Sequence, residues 1–253
     1  MTLIINAILQ ARTSSSRLPG KVMLKIDGEP MIGIQIKRIK RSLSIDSLIV
    51  AISDDKSDDE LARYLAGIDC IVVRGSLHNV HNRFIKVLDD YRCDIFIRLT
   101  ADCPLVMPEL IDEMIADFKS KKIDYLSNSL ISSFPDGLDI EIIDTKSFLK
   151  TDRLDLTSSE KEHVTLALYT RENLFKVANF ASGLSLANER WTVDYPEDFD
   201  FIVQIFSQFK GKEAEFSMSD VLDLLESNPN IRNMRSGDLR NIALKREDGE
   251  QIG

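Results

Sequence analysis

Leu3-Ile4-Ile5-Asn6-Ala7-Ile8-Leu9 leads into Ala11-Arg12-Thr13-Ser14-Ser15-Ser16-Arg17-Leu18-Pro19-Gly20-Lys21. The apolar run reads as a buried parallel strand. The second stretch sets three cations, Arg12, Arg17 and Lys21, among small hydroxyl residues, a proline and a glycine. Small residues let backbone N–H groups close on a ligand, and such groups form anion-binding concavities. Guanidinium groups fork onto phosphate oxygens, and a lysine acts as a point charge. A solvated basic turn is the plainer explanation of such a segment. Its place at the carboxyl end of a first strand favours a polyphosphate loop, because open α/β sheets bind ligands there. It is not a Walker loop, since Val22 follows Gly20-Lys21 and no glycine stands five positions before Gly20. It is not a G-x-G-x-x-G dinucleotide turn either.

Outward from this loop the chain alternates strands and helices. A helix opens after Pro30 and runs from Met31 to about Arg41. Strands follow at Ser47–Ile52, Cys70–Val73, Asp94–Leu99 and Tyr125–Asn128. Helices near 57–66, 80–91 and 108–121 separate them, so the rhythm predicts a mainly parallel sheet with helices on both faces. From Phe134 the rhythm changes. Leu138-Asp139-Ile140-Glu141-Ile142 alternates as a half-exposed strand does. A helix around Ser158–Tyr169, strands at Phe175–Phe180 and Arg190–Val193, and two closing helices are expected beyond it. The tail after Asn233 is polar. No repeat or linker divides the chain, which reads as a single domain, 1–253, with an inserted antiparallel lobe at about 133–186.

Composition sets the broad class. The 253 residues are 43% hydrophobic and 29% charged, enough to bury a sizeable core. A net charge of −9 argues against nucleic-acid or anionic-membrane partners, which call for a positive surface. Three scattered cysteines, Cys70, Cys93 and Cys103, suit neither a disulfide framework nor a zinc cluster. With no long apolar run and no leader pattern, a cytoplasmic protein is expected.

Asp102 lies just past the fourth strand. A carboxylate there is a natural Mg²⁺ ligand, because Mg²⁺ takes one or two carboxylates plus phosphate oxygens and water. A turn or helix-capping aspartate is the alternative. Asp194 precedes Pro196 and equally suits a helix start.

Ala-Arg-x-x-Ser-x-Arg-Leu-Pro-x-Lys resembles the amino-terminal signature of the sugar cytidylyltransferases that make CMP-activated acidic sugars. Among them the chain is most similar to the spore-coat polysaccharide biosynthesis protein F-like branch. The resemblance runs from about Ile4 to Phe201 and implies a GT-A type, nucleotide-diphospho-sugar transferase-like sheet. It implies CTP as one substrate, a small sugar acceptor as the other, and Mg²⁺ as cofactor. Ala11, Arg12, Ser15, Arg17 and Lys21 then face the nucleotide, with Arg12 and Lys21 catalytic. Leu99-Thr100-Ala101-Asp102-Cys103-Pro104-Leu105 resembles the family's metal motif, with Ala101 where glycine is usual. Arg190-Trp191-Thr192-Val193-Asp194 resembles the motif that supplies the second metal carboxylate. The family's Arg-Gly-Ser segment implies that Arg74, Ser76 and Arg83 are on the nucleotide side. The lobe's Pro-Asp-Gly-x-Asp-x-Glu and Glu-His-Val-Thr motifs imply Asp136, Asp139, Glu141 and His163 at the acceptor. Lys161 stands where many relatives carry arginine.

His78 and His81 lack a third ligand partner, which speaks against a metal site. Cys103 has no histidine motif to activate it, and the resemblance implies direct transfer. A glycosyltransferase is a rival reading, but Pro104 stands where its Asp-x-Asp motif would need a second aspartate. A catalytically silent nucleotide-binding scaffold is the rival from another class. Relatives pair through the lobe, and isolated hairpins are marginal in water, so a homodimer is expected.

Overall fold

The computed structural model describes residues 2–171 and 173–236. The polar tail after Asn233 therefore lies outside the described residues from position 237 onward. In chain order the elements are β1 (Ile5–Gln10), β2 (Lys25–Ile26), β3 (Glu29–Pro30), α1 (Met31–Ile39), β4 (Ser47–Ser53) and α2 (Asp59–Gly67). They continue with β5 (Ile71–Gly75), α3 (Val80–Asp90), β6 (Ile95–Thr100), α4 (Pro108–Ser120), β7 (Tyr125–Ser127) and β8 (Glu141–Asp144). Then come α5 (Thr145–Thr151), α6 (Ser158–Glu162), α7 (Leu166–Thr170), β9 (Val177–Asn179), α8 (Pro196–Gln208), α9 (Met218–Ser227) and α10 (Pro229–Arg232).

Among the described residues a seven-stranded sheet runs in the order β5-β4-β1-β6-β8-β7-β9. Its β1, β4, β5 and β6 are parallel neighbours, whereas β8 is antiparallel to both β6 and β7. Alternation along the strands feeds two core layers. Ile95, Ile97 and Leu99 of β6 pack with Met31, Ile111 and Phe201 from α1, α4 and α8. Phe96 of the same strand packs with Phe84, Phe148 and Leu168 from α3, α5 and α7. Helices thus cover both faces, as the alternating pattern predicts, and Gln10 of β1 lies opposite Thr100 of β6 at the sheet's carboxyl edge.

Several segments depart from the expected elements. Asp27 and Gly28 take positive φ, 49° and 88°, and close β2 and β3 into a hairpin. Asp-Gly is the pair that a primed two-residue turn demands, so this signal was legible. The expected helix around Ser158–Tyr169 breaks into α6 and α7 at His163, and Thr165 there donates to Glu141 at 2.6 Å. The half-exposed strand expected from Leu138 begins only at Glu141, and its Glu141, Ile142 and Ile143 are all buried. The expected strand Arg190–Val193 belongs to no sheet; Trp191 N–H bonds Asp136 O at 2.6 Å and Val193 N–H bonds Asp102 O at 2.9 Å. It is an extended seam between two loops. The stretch 133–186 supplies β8 to the middle of the main sheet and β9 to its edge, β9 lying parallel to β7.

The seam depends on Gly137. Its φ is +107°, and a Cβ there would lie 2.6 Å from both Trp191 C and Thr192 N. Gly137→Ala should therefore cost at least about 1–3 kcal/mol from backbone conformation alone, with the clash added. Gly183, with open space around it, provides the control. Paired thermal melts check this; equal midpoints for the two alanine variants would refute the seam's tightness.

Candidate active site

The basic loop between β1 and β2 is pinned from below. Asp58, fully buried, accepts from Thr13 N–H at 2.7 Å and Thr13 Oγ1 at 2.6 Å. It also accepts from Ser53 N–H at 2.9 Å and Ser53 Oγ at 2.5 Å, tying the loop to the end of β4. Thr13 O in turn accepts from Ser15 N–H at 2.9 Å and Gly20 N–H at 2.8 Å. Gly20 takes φ 71°, which turns the chain so that Lys21 enters the protein rather than the solvent. Asp58 was invisible as a site residue in the sequence, where it is one acid in an acidic helix start.

Lys21 is 7% exposed, and its ammonium meets three oxygens. These are Asp102 Oδ2 at 3.2 Å, Asp194 Oδ1 at 3.1 Å and Val193 O at 2.7 Å. Arg17 reaches Asp194 Oδ1 at 2.8 Å, and Arg190 reaches Asp194 Oδ2 at 2.9 Å. Arg190 also holds Asp136 at 2.8 Å and Asp198 at 3.5 Å. Burial pushes the Asp102 carboxyl up, but the Lys21 charge and the bonds from Thr100, Lys21 and Cys103 outweigh it and hold it well below the usual carboxylate range. Burial likewise lowers Lys21, yet the two aspartates win and raise it.

Two cavities open at this edge. The smaller, about 460 Å³, is lined by Gln10, Ala11, Arg12, Ser15, Arg17 and Lys21. The larger, about 550 Å³, is lined by Arg98, Asp136, Asp139, Glu141, His163 and Arg190. Both share Arg17, Thr100, Asp102 and Asp194. The structure thus brings together, across one junction, the loop residues, both candidate metal carboxylates and the residues of the lobe motifs.

Other expected residues fall elsewhere. Arg74, Ser76 and Arg83 line neither cavity. Arg74 bonds Ser53 O, Asp55 O and Asp59, and Ser76 Oγ accepts from Asn79 N–H at 3.0 Å. Arg83 spends Nε and Nη2 on Ser76 O, while its Nη1 is buried with no partner. Their polar atoms shape the turn into α3. Glu141 is not the wet face of a strand. It is 7% exposed, paired with Arg98, and accepts from Tyr125 OH at 2.5 Å. Arg98 and Arg190 were both missed, although a lone arginine inside the apolar run Ile95-Phe96-Ile97-Arg98-Leu99 was a signal.

His81 is buried against Phe148 with Thr151 Oγ1 at 2.7 Å, and His78 is exposed, so the pair shares no site. Burial and the neighbouring Asp102 push the Cys103 thiol well up, which keeps it protonated and a poor nucleophile. Ala101 is not among the non-glycine residues at positive φ, so alanine carries no left-handed backbone cost there.

The donors open to a hard divalent cation at the junction are carboxylate oxygens: Asp102 is 30% exposed, whereas Asp194, at 13%, is already met by Arg17, Lys21 and Arg190. Among the described residues no cluster of three or more His, Cys, Asp or Glu forms an all-protein cage. Mg²⁺ needs none, since it completes its shell with phosphate oxygens and water.

The cytidylyltransferase family model matches residues 6–227. The chain is 32% identical to the spore coat polysaccharide biosynthesis protein SpsF of Bacillus subtilis over 91% of this chain and 98% of that one. It is 34% identical to 3-deoxy-manno-octulosonate cytidylyltransferase of Pelobacter propionicus over 44% of this chain and 43% of that one. Among solved structures, a cytidylyltransferase from Leptospira borgpetersenii superposes with a TM-score of 0.87 at 28% identity, covering 93% of this chain and 99% of that one.

Two predictions follow from the charge arrangement. Asp194→Asn leaves Arg17, Lys21 and Arg190 facing one another and should cost about 3–5 kcal/mol, while Asp102→Asn, whose loss Lys21 survives with two partners, should cost less. Equal chemical denaturation midpoints would contradict this. Asp102, Glu141 and Glu160 all have folded pKa values below their ordinary ones, Glu160 at about 2 because Arg171 bonds it. A depressed carboxylate contributes stability above its unfolded pKa and loses it as pH falls toward the folded value. The melting temperature should therefore be flat from about pH 6 to about pH 8 and fall steadily below about pH 4.5. A midpoint that rises on acidification would overturn the ion-pair account.

Proposed function

The chain belongs to the cytidylyltransferase family, and on that premise we propose that it moves CMP from CTP to a hydroxyl of an acidic sugar, releasing pyrophosphate, in the making of a surface polysaccharide. The observation that carries this reading is the junction of two cavities on Arg17, Thr100, Asp102 and Asp194. A nucleotide in the smaller cavity meets Ala11, Arg12, Ser15, Arg17 and Lys21; a sugar in the larger meets Asp136, Asp139 and His163. The group that transfers must then sit between them. Two names support the acceptor class: one relative is a polysaccharide biosynthesis protein, and another is a cytidylyltransferase of 3-deoxy-manno-octulosonate, an acidic sugar.

The acceptor oxygen bonds the α-phosphorus as the bond to the pyrophosphate oxygen breaks, and the hydroxyl proton leaves to solvent. Such transfers rest on positioning and charge neutralisation rather than on covalent help from the protein. Arg12, Arg17 and Lys21 balance phosphate charge, and the buried Asp58–Thr13 link keeps their loop from rearranging. Asp102 and Asp194 would hold Mg²⁺, which when bound draws charge from phosphate oxygens and eases loss of the acceptor proton. The same reading includes a cytoplasmic location, where nucleoside triphosphates are kept, and a homodimer formed through 133–186, where Leu174 and Leu184 are 51% and 55% exposed.

Pyrophosphate release measured across four nucleoside triphosphates and a panel of acidic sugars tests the function. CTP with at least one sugar should give release; none with CTP, or transfer from a nucleotide-sugar instead, would sink it. Arg12→Ala, which breaks only a part-exposed 3.3 Å contact with Glu162, should cut turnover by about 2.7–4 kcal/mol in barrier with a melting shift near zero. Lys21→Ala should do the same to turnover and also lower the melting point, since it strips two part-buried carboxylates of their shared cation. Unchanged kinetics in both would remove the phosphate role.

A further inference from the structure

Gln10 ends β1 and lies opposite Thr100 of β6, while Ile8 lies opposite Arg98. Side chains on a strand alternate, so Gln10, Arg98 and Thr100 share one face of the sheet. Arg98 donates to Gln10 Oε1 from Nε at 3.2 Å and from Nη2 at 3.0 Å. Its remaining nitrogen, Nη1, is held by Glu141. Glu141 is itself fixed by Tyr125 OH at 2.5 Å and Thr165 Oγ1 at 2.6 Å.

This chain of bonds settles which way round the Gln10 amide stands. A guanidinium has donors only, so two of its N–H groups converging on one atom require that atom to be the amide oxygen. The NH₂ group must then point away from Arg98. Gln10 lines the smaller cavity, and among the described residues its nitrogen meets no protein acceptor. Thr100, its neighbour across the ladder, belongs to both cavities. A pre-oriented neutral donor therefore faces the smaller cavity beside Thr100.

We propose that Gln10 is a substrate-contacting residue whose amide NH₂ donates to a non-bridging oxygen of the α-phosphoryl group, and that Arg98, backed by Glu141, is the positioning residue that keeps the amide in that orientation. The proposal rests on the cytidylyl-transfer reading. A neutral donor fixed in advance stabilises charge that moves onto that oxygen without needing to reorganise during the step. It also explains a costly feature, a buried arginine–glutamate pair beneath the site, as an orienting device.

Gln10→Glu in the full chain separates this role from a merely structural one. The carboxylate still accepts from Arg98, and with added charge, so the fold is kept and the melting point should hold or rise. Facing the cavity, however, it offers an acceptor where the substrate needs a donor. Turnover should fall about a hundredfold, with the KM for the sugar within about twofold of wild type. Gln10→Met, of similar length and with no hydrogen-bond donor, should fall about as far and answers the question if the glutamate variant misfolds. Arg98→Lys keeps the charge opposite Glu141 but loses the fork; it should lower turnover in wild type and add nothing further in Gln10→Met. Turnover within about twofold of wild type in both Gln10 variants would overturn the contact, and additive losses in the double variant would overturn the positioning role. A wild-type enzyme that transfers CMP to no sugar defeats the underlying reading instead, and the Gln10 assignment with it.

Discussion

Three segments far apart in sequence meet on one ammonium group. Lys21 comes from the basic loop, Asp102 from the end of β6, and Val193 with Asp194 from the seam before α8. Each ammonium hydrogen has an oxygen, which matters because an isolated buried charge is prohibitively costly. The carboxylates are bound by the same condition: remove the lysine and two acids face each other across a cavity wall. The loop, the strand end and the seam are thus not independently adjustable. Arg190 extends the constraint by joining Asp194 to Asp136 and Asp198, so the loop around Gly137 is fixed to the same network.

The sheet supports this arrangement from beneath. The parallel strands β1, β4 and β6 end together, which puts their loops on one edge. The antiparallel β8 enters beside β6 and delivers Glu141 to Arg98 at the floor of the larger cavity. An all-parallel continuation would have placed a strand's carboxyl end, and another loop, at that point. A polar floor of interlocked groups results, with the arginine raised and the glutamate lowered in pKa because each offsets the burial of the other. Polar networks of this kind are tolerated only when every member is satisfied, and they leave little freedom of shape.

Much of this was legible in advance. Runs such as Ile95–Leu99 and Leu48–Ile52 are too apolar to be exposed and too short to be buried helices, so a covered parallel sheet follows from them. The cations at 12, 17 and 21 and the acid at 102 follow strand ends, where ligands bind in such sheets, and motif resemblance drew attention to Asp194 and the lobe residues. Asp27-Gly28 was equally readable as a hairpin turn, since few other pairs accept positive φ twice in succession.

What sequence alone determined is therefore the alternation of the main strands and helices, the layering and the place of the basic loop and Asp102 at the sheet's carboxyl edge. Those follow from local rules: side-chain periodicity, turn chemistry and the cost of burying polar groups. What only the tertiary structure decided is which charges neutralise one another. The pattern of Glu141 reads as a solvated acid until Arg98, 43 positions away, is seen beneath it, and the resemblance sets Arg74 on the nucleotide side until Ser53 O and Asp59 are seen to consume it. Electrostatic partners are set by distances between segments that no local rule relates, and the partner decides whether a charged residue is a ligand, a brace or a floor.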